Sequence, residues 1–179
     1  MIMNTLIVNL YGGPGSGKST MASRLFSELK ESAIVAELVT EYAKDLTWQE
    51  SYYELGNQIY IFGKQQHRIW RVYGKVEVII TDSPLLLGLI YGNSSDTFKQ
   101  LIVEEHKSRK SIDIFLNRVK PYSKIGRNQT EDEARVIDSK IKDILDIHVG
   151  DYYRIDGIKS STDQILKIIN QQISQNKIK

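Results

Sequence analysis

Near the amino terminus, GGPGSGKS at positions 12–19 brings glycines, a lysine and a serine together at offsets suited to holding a chain of phosphates. Gly12, Gly17, Lys18 and Ser19 satisfy the pattern G-x-x-x-x-G-K-[ST] in full. Phosphate oxygens lie against consecutive backbone N–H groups, and side chains at the glycines would hold them off or block the required φ angles. The groups expected to line the anion are therefore Gly13, Gly15, Ser16, Gly17, Lys18, Ser19 and Thr20. Lys18 can reach the β- and γ-phosphates, and the Ser19 hydroxyl can coordinate Mg²⁺. A helix after the loop would turn its positive end towards the same anion. A plain glycine-rich turn between strand and helix is the alternative, and the complete motif in a strand–loop–helix context outweighs it.

Further reactive residues follow apolar runs. Asp82 closes VEVII and Thr81, where a carboxylate can help hold the Mg²⁺ that bridges the β- and γ-phosphates. Asp82 or Ser83 before Pro84 is equally good grammar for a helix N-cap, and both roles can coexist. Glu41 ends another apolar run, placed to orient an acceptor hydroxyl and take its proton, unless it is an ordinary surface glutamate. The loop NRVKPYSKIGRNQ at 117–129 holds Arg118, Lys120, Lys124 and Arg127. Cations closing over a transferring phosphoryl group stabilise its developing charge, and Arg118 and Arg127 suit this better because a guanidinium grips phosphate through two bonds. In the aromatic-rich stretch 47–71, Tyr52, Tyr53, Tyr60 and Trp70 could stack on a base while Gln58, Gln65 and Gln66 read its edge, although at least half such aromatics are expected to be core. His67 and His106 form no metal-ligand pattern.

The elements that would position these groups alternate regularly. Strands are expected at about 6–10, 34–39, 76–80, 113–116 and 152–155. Helical spacing appears at 19–30, 85–91 and 97–109, the last two separated by GNSSD at 92–96. Thr47 with Glu50 reads as a capping box opening a helix towards Arg71, with Gly56 and Gly63 marking bends. Thr130 with Glu133 opens a helix to about His148, and Ser161 with Gln164 begins the last one. Five strands alternating with helices, joined by right-handed crossovers, make a parallel sheet flanked by helices. Such sheets bind ligands at the carboxyl ends of their strands, where the loop at Gly12, Glu41, Asp82 and the basic stretch from Asn117 all fall.

Composition narrows the field. The 179 residues suit one domain spanning 1–179, with the lid at about 118–128. Lys and Arg number 24 against 22 Asp and Glu, and a net charge of +2 gives no case for nucleic acid or membrane as partner. The absence of cysteine excludes disulfides, thiolate metal sites and a cysteine nucleophile. No signal-peptide pattern opens the chain and no apolar run approaches ~20 residues, so a cytoplasmic protein is expected, in which a homodimer remains open.

With these residues in view, the chain resembles the P-loop nucleoside and nucleotide kinases, especially the nicotinamide-riboside-kinase-like group and the deoxynucleoside kinases. GGPGSGKST is similar to their phosphate loop, and VTEYAKDL to the segment where deoxynucleoside kinases keep an acidic base, matching Glu41. NQIYIFGKQQHR resembles their substrate helix, whose base-reading glutamine falls at Gln58. TDSP lies where related kinases carry Asp-Arg or Glu-Arg, with Ser83 in place of the arginine. RVKPYSKIGRNQTEDEA is similar to a kinase lid and its following helix. The resemblance implies a P-loop NTPase fold with a short lid, ATP and Mg²⁺ as cofactors, and transfer of the γ-phosphoryl group to a nucleoside, nucleoside monophosphate or similar riboside. Lys18, Glu41, Arg118 and Arg127 would be catalytic, Ser19 and Asp82 metal-binding, and Glu41, Tyr53, Gln58 and Gln65 in contact with the acceptor. A P-loop ATPase lacking an acceptor and a kinase of nucleic acid ends or modified bases are the alternatives. A guanine-specific switch is disfavoured, because the fourth strand ends in NRVK instead of N-K-x-D and Asp82 is not followed by the D-x-x-G glycine.

Overall fold

The computed structural model describes residues 3–92, 94–119, 122 and 130–177. Lys120, Lys124 and Arg127, and with them most of the expected lid, lie outside the described residues. Five strands form one sheet: β1 (Leu6–Tyr11), β2 (Ala36–Val39), β3 (Val78–Thr81), β4 (Ser111–Asn117) and β5 (Tyr153–Asp156). All neighbours run parallel, in the order β2-β3-β1-β4-β5. Seven α-helices accompany them among the described residues: α1 (Lys18–Glu31), α2 (Tyr42–Trp48), α3 (Tyr52–Leu55), α4 (Gln58–Trp70), α5 (Asp96–Lys107), α6 (Glu131–His148) and α7 (Thr162–Lys177). This is the five-stranded α/β architecture of the P-loop NTPases.

Strand alternation divides the core in two. Leu6, Val8 and Leu10 of β1 join Val78 and Ile80 of β3 and Ile112, Ile114 and Leu116 of β4 on one face. There α1 packs through Met21, Ala22, Leu25 and Leu29, and α7 through Ile165 and Ile169. The opposite face carries Ile7 and Ile79 near Ile69 of α4, and Tyr11 and Phe115 near Ile102 of α5 and Leu145 of α6. Both faces of β1 are thus covered, which is why its sequence is nearly all apolar.

The second face also buries a polar cluster. Asp113 Oδ1 accepts from Asn9 Nδ2 at 3.0 Å and from the Tyr11 hydroxyl at 2.9 Å, while His106 Nε2 lies 3.7 Å from Asp113 Oδ2. Burial raises the Tyr11 phenol, and the nearby Asp113 charge raises it further. Burial lowers the His106 imidazole against the opposing pull of Asp113. Among the described residues no helix is long and apolar enough to cross a membrane.

Two stretches depart from the expected pattern. The helix expected from Thr47 to Arg71 is three helices, and the expected capping box at Thr47 is absent. Thr47 instead lies in the last turn of α2, where its hydroxyl donates to Ala43 O at 3.1 Å, and Glu50 adopts a left-handed φ of 57°. The restart at α4 is local, because Asn57 caps it by accepting from the Tyr60 amide at 3.1 Å. The helical patch expected at 85–91 is a 3-10 turn over Leu85–Leu89. By contrast, Thr130 and Glu133 form the complete reciprocal capping box that opens α6.

Ile80 is fully buried in β3 between Val8 and Leu38 in register. Ile80→Ala is expected to lower stability by ~2–5 kcal/mol, read as a lower urea midpoint with an unchanged m-value.

Candidate active site

The phosphate loop leaves β1 through Gly12 at φ 139° and enters α1 through Gly17 at φ 98°. Gly17 fits for a second reason, since a Cβ there would meet Gly157 O at 3.0 Å. The start of α1 has neither a side-chain cap nor an acidic residue in its first turn. Its first N–H groups are therefore unclaimed by the chain's own anions, the condition for receiving a phosphate. Lys18 Nζ donates to Gly12 O at 2.6 Å and Gly13 O at 3.2 Å, which hold the ammonium over the loop.

A cleft of about 540 Å³ opens from this loop across the carboxyl ends of β1, β3 and β2. Gly15, Gly17, Lys18, Ser19, Thr20, Glu41, Gln58, Gln65 and Asp82 all line it, although they come from separate parts of the chain. The sheet explains the convergence, because β2, β3 and β1 are adjacent and parallel. Val39 lies in register with Thr81, β1 runs two residues further to Tyr11, and Glu41, Asp82 and Gly12 follow within two residues of these strand ends. Gly13 and Ser16 do not face the cleft. The Gly13 amide turns outward to Asp138 Oδ1 at 2.5 Å, and the Ser16 hydroxyl is buried without a partner.

Charges in the cleft act on one another. Burial lowers the Lys18 ammonium, and the carboxylates of Glu41, Asp82 and Asp138 pull it back up. Burial raises the Glu41 carboxyl, opposed by Lys18 and reinforced by Asp82. Asp82 is buried and its Oδ1 has no partner, so the expected N-cap role is not what it does; the 3-10 turn beyond it begins at Pro84 without a side-chain cap. A buried, unpartnered carboxylate oxygen beside a phosphate loop fits a hard cation. No cluster of three or more His, Cys, Asp or Glu able to hold a metal exists among the described residues. Mg²⁺ suits such a site because it takes one or two protein oxygens and completes its shell with phosphate and water.

The side of the cleft away from the loop is built mainly by α2, α4 and the 3-10 turn. Gln65 is 5% exposed, accepting from the Tyr42 amide at 2.9 Å and donating to Thr40 O at 3.4 Å. It thereby grips the backbone on both sides of Glu41, an occupation different from reading a base. Gln58 lines the cleft and donates to Leu55 O at 2.8 Å. Tyr53 is 92% exposed and absent from the cleft wall, which corrects its expected acceptor contact: α3 is a separate short helix that turns it outward. Trp70 stacks on His67 at the surface, and Tyr60 meets Tyr42 hydroxyl to hydroxyl at 2.6 Å. Arg118, expected over the phosphates, is buried beneath the loop, bonded to Asp138 and to Pro14 O.

Sequence reasoning missed three contributors. Tyr91 lines the cleft, and its phenol is pushed up to about 12 by burial and by the nearby Glu41 charge. The signal was an aromatic just before a Gly-Asn turn. Gly157 follows β5 and presses its backbone against the phosphate loop, a glycine at the ligand edge of the sheet. Asp138 lies in the middle of α6, where nothing in the local pattern marks it.

Residues 7–159 match the family described as an AAA domain. No curated protein matches the chain by sequence. Among solved structures, deoxyadenosine kinase from M. mycoides with products dCMP and dCDP aligns over 92% of this chain and 99% of its own, with a TM-score of 0.59 and 16% identity. Shikimate kinase from Aquifex aeolicus aligns over 95% of this chain and 97% of its own, with a TM-score of 0.53 and 19% identity. At these identities the likeness is one of fold.

The contact beneath the loop is measurable. A Cβ at Gly157 would fall 2.2 Å from Ser16 O, so Gly157→Ala must displace backbone and is expected to cost ~1–3 kcal/mol in urea unfolding. Gly63→Ala, which meets nothing within 4 Å on α4, should instead gain up to ~1 kcal/mol.

Proposed function

The chain belongs to the AAA domain family, and we propose that it is an ATP-dependent phosphotransferase moving the γ-phosphoryl group to a hydroxyl of a nucleoside, nucleoside monophosphate or similar riboside. The observation that carries this reading is Glu41, a carboxyl with a raised pKa lining the same cleft as Lys18, Ser19 and Asp82. A nucleotide hydrolase without an acceptor has no use for a walled compartment beyond the phosphate loop, whereas transfer requires one. That compartment offers Phe62, Leu87 and Tyr91 as ring-sized apolar surface and Gln58 as a hydrogen-bonding edge.

The division of labour follows from the positions. The loop amides and Lys18 bind the β- and γ-phosphates and draw charge towards the bridging oxygen. The Ser19 hydroxyl and the free Asp82 oxygen would hold Mg²⁺, which when bound neutralises charge shared between the β- and γ-phosphates. Glu41 orients the acceptor hydroxyl. As that oxygen bonds to the γ-phosphorus, the bond from phosphorus to the bridging oxygen breaks, ADP departs and the hydroxyl proton passes to Glu41. Its raised pKa makes Glu41 a better base than an ordinary glutamate.

Among the described residues, Lys18 and Lys44 are the basic ones lining the cleft, and Arg68 is committed to Asp45 and Thr40. The base Glu41 favours an acceptor hydroxyl, which has a proton to lose, over an acceptor phosphate, which arrives already ionised.

Phosphate transfer from γ-labelled ATP to a panel of nucleosides, nucleoside monophosphates and ribosides tests the reading directly. Hydrolysis without transfer to any of them would refute it and leave an ATPase. Lys18→Ala is expected to abolish turnover. Glu41→Gln is expected to lower kcat by about 10²-fold while leaving ATP affinity nearly intact, and to remove the acid limb of the pH–rate profile. That limb should stand above the usual carboxylate range, since burial raises the Glu41 pKa. The sign for stability is opposite: a folded-state pKa above the unfolded value means that stability falls as pH rises through the interval between them. Glu41→Gln lacks this cost, so at neutral pH the slowed variant should unfold at higher urea than wild type.

A further inference from the structure

Two charged side chains outside the cleft are spent on the phosphate loop. Arg118 follows β4 and Asp138 lies in α6, with side chains only 5% and 13% exposed. Asp138 Oδ2 accepts from Arg118 Nε at 3.1 Å and Nη2 at 3.0 Å, a two-pronged contact. The free ends of this pair reach the loop: Asp138 Oδ1 accepts the Gly13 amide at 2.5 Å, and Arg118 Nη1 donates to Pro14 O at 2.7 Å. Packing reports the same junction independently, because a Cβ at Gly13 would fall 2.6 Å from Ala134 O in the backbone of α6.

These contacts take the outward-facing polar groups at Gly13 and Pro14, and the cleft begins on the other side of the same turn. A lone carboxylate at that position would repel a polyphosphate, since charges a few ångströms apart across protein interact strongly. The Lys18 ammonium registers both members, Asp138 favouring its charged form and Arg118 opposing it. The brace therefore reaches the anion's surroundings electrically as well as mechanically.

We propose that Arg118 and Asp138 form a charge-neutral brace that fixes the phosphate loop from behind, holding Gly13 N–H and Pro14 C=O outward so that the following amides stay turned to the nucleotide. Both are positioning residues. The inference rests on the loop binding ATP and is independent of which acceptor is used.

Calorimetric binding of Mg·ATP to the full chain, with folding checked by circular dichroism, separates the electrical half from simple packing. Arg118→Met leaves a buried carboxylate unpaired behind the anion, and affinity is expected to fall at least about tenfold. Adding Asp138→Asn removes that charge while keeping an oxygen for the Gly13 amide, so the double variant should return to within about threefold of wild type. Acceptor KM should move little in either. Wild-type affinity in Arg118→Met, or a double variant as weak as the single one, would overturn the brace. If Arg118→Met does not fold, Arg118→Lys keeps the charge without the fork and should bind ATP several-fold more weakly; unchanged affinity there overturns the proposal. Wild-type protein that binds Mg·ATP yet transfers to no acceptor would refute the phosphotransferase reading and leave the brace standing.

Discussion

The site depends on one half-buried ammonium. Lys18 sits where burial opposes its charge, and the carboxylates of Glu41, Asp82 and Asp138 restore it. The dependence runs both ways for Glu41, since Asp82 raises the cost of ionising it and Lys18 lowers that cost. Lys18 offsets part of the cost of burying the Glu41 charge, and the acids offset part of the cost of burying Lys18. The loop geometry serves the same balance: carbonyls of Gly12 and Gly13 turn towards Nζ while the amides at the start of α1 stay uncapped. Partial negative charge gathers on the lysine and partial positive charge on the phosphate path.

Sheet topology makes this balance possible at a single place. β1 is central, with β3 on one side and β4 on the other, so the loop after it is flanked by whatever follows both neighbours. On the β3 and β2 side these are Asp82 and Glu41; on the β4 and β5 side they are Arg118 and Gly157. The two sides differ in character. Acids face the cleft on the first, and backbone and a neutralised ion pair support the loop on the second. Chemistry and scaffolding thus occupy opposite flanks of one strand.

Much of this was legible from the sequence, for reasons that are physical. The phosphate loop is read from local backbone demands, and Gly12, Gly17, Lys18 and Ser19 satisfy them within eight residues. Strand positions follow from apolar runs and the parallel sheet from their alternation with helices, so the positions of Glu41 and Asp82 at the ligand edge followed too. Thr130 and Glu133 signal a cap that forms because its partners are three residues apart. Gln65 and Arg118 were assigned to ligands by residue type, yet both are consumed by contacts 20 to 25 residues distant or across the sheet. Asp138 was invisible for the same reason, since its partners Gly13 and Arg118 are 125 and 20 residues away. Local grammar records backbone requirements; it does not record which long side chains tertiary packing has already claimed.

That distinction also explains why the acceptor compartment was the hardest part to read. Its wall is made by short elements, α2, α3, the start of α4 and the 3-10 turn, each too brief to show a periodic face. Their junctions are set by single residues: Asn57 restarts the helix, Glu50 takes a left-handed turn, and Gly92 at φ 75° leaves room for Gln58, whose Cγ would lie 2.6 Å from a Cβ there. Gln65 then ties this assembly to the backbone beside Glu41. This wall is consequently fastened beside Glu41 by two side chains of α4, Gln65 and Arg68, which both bond Thr40.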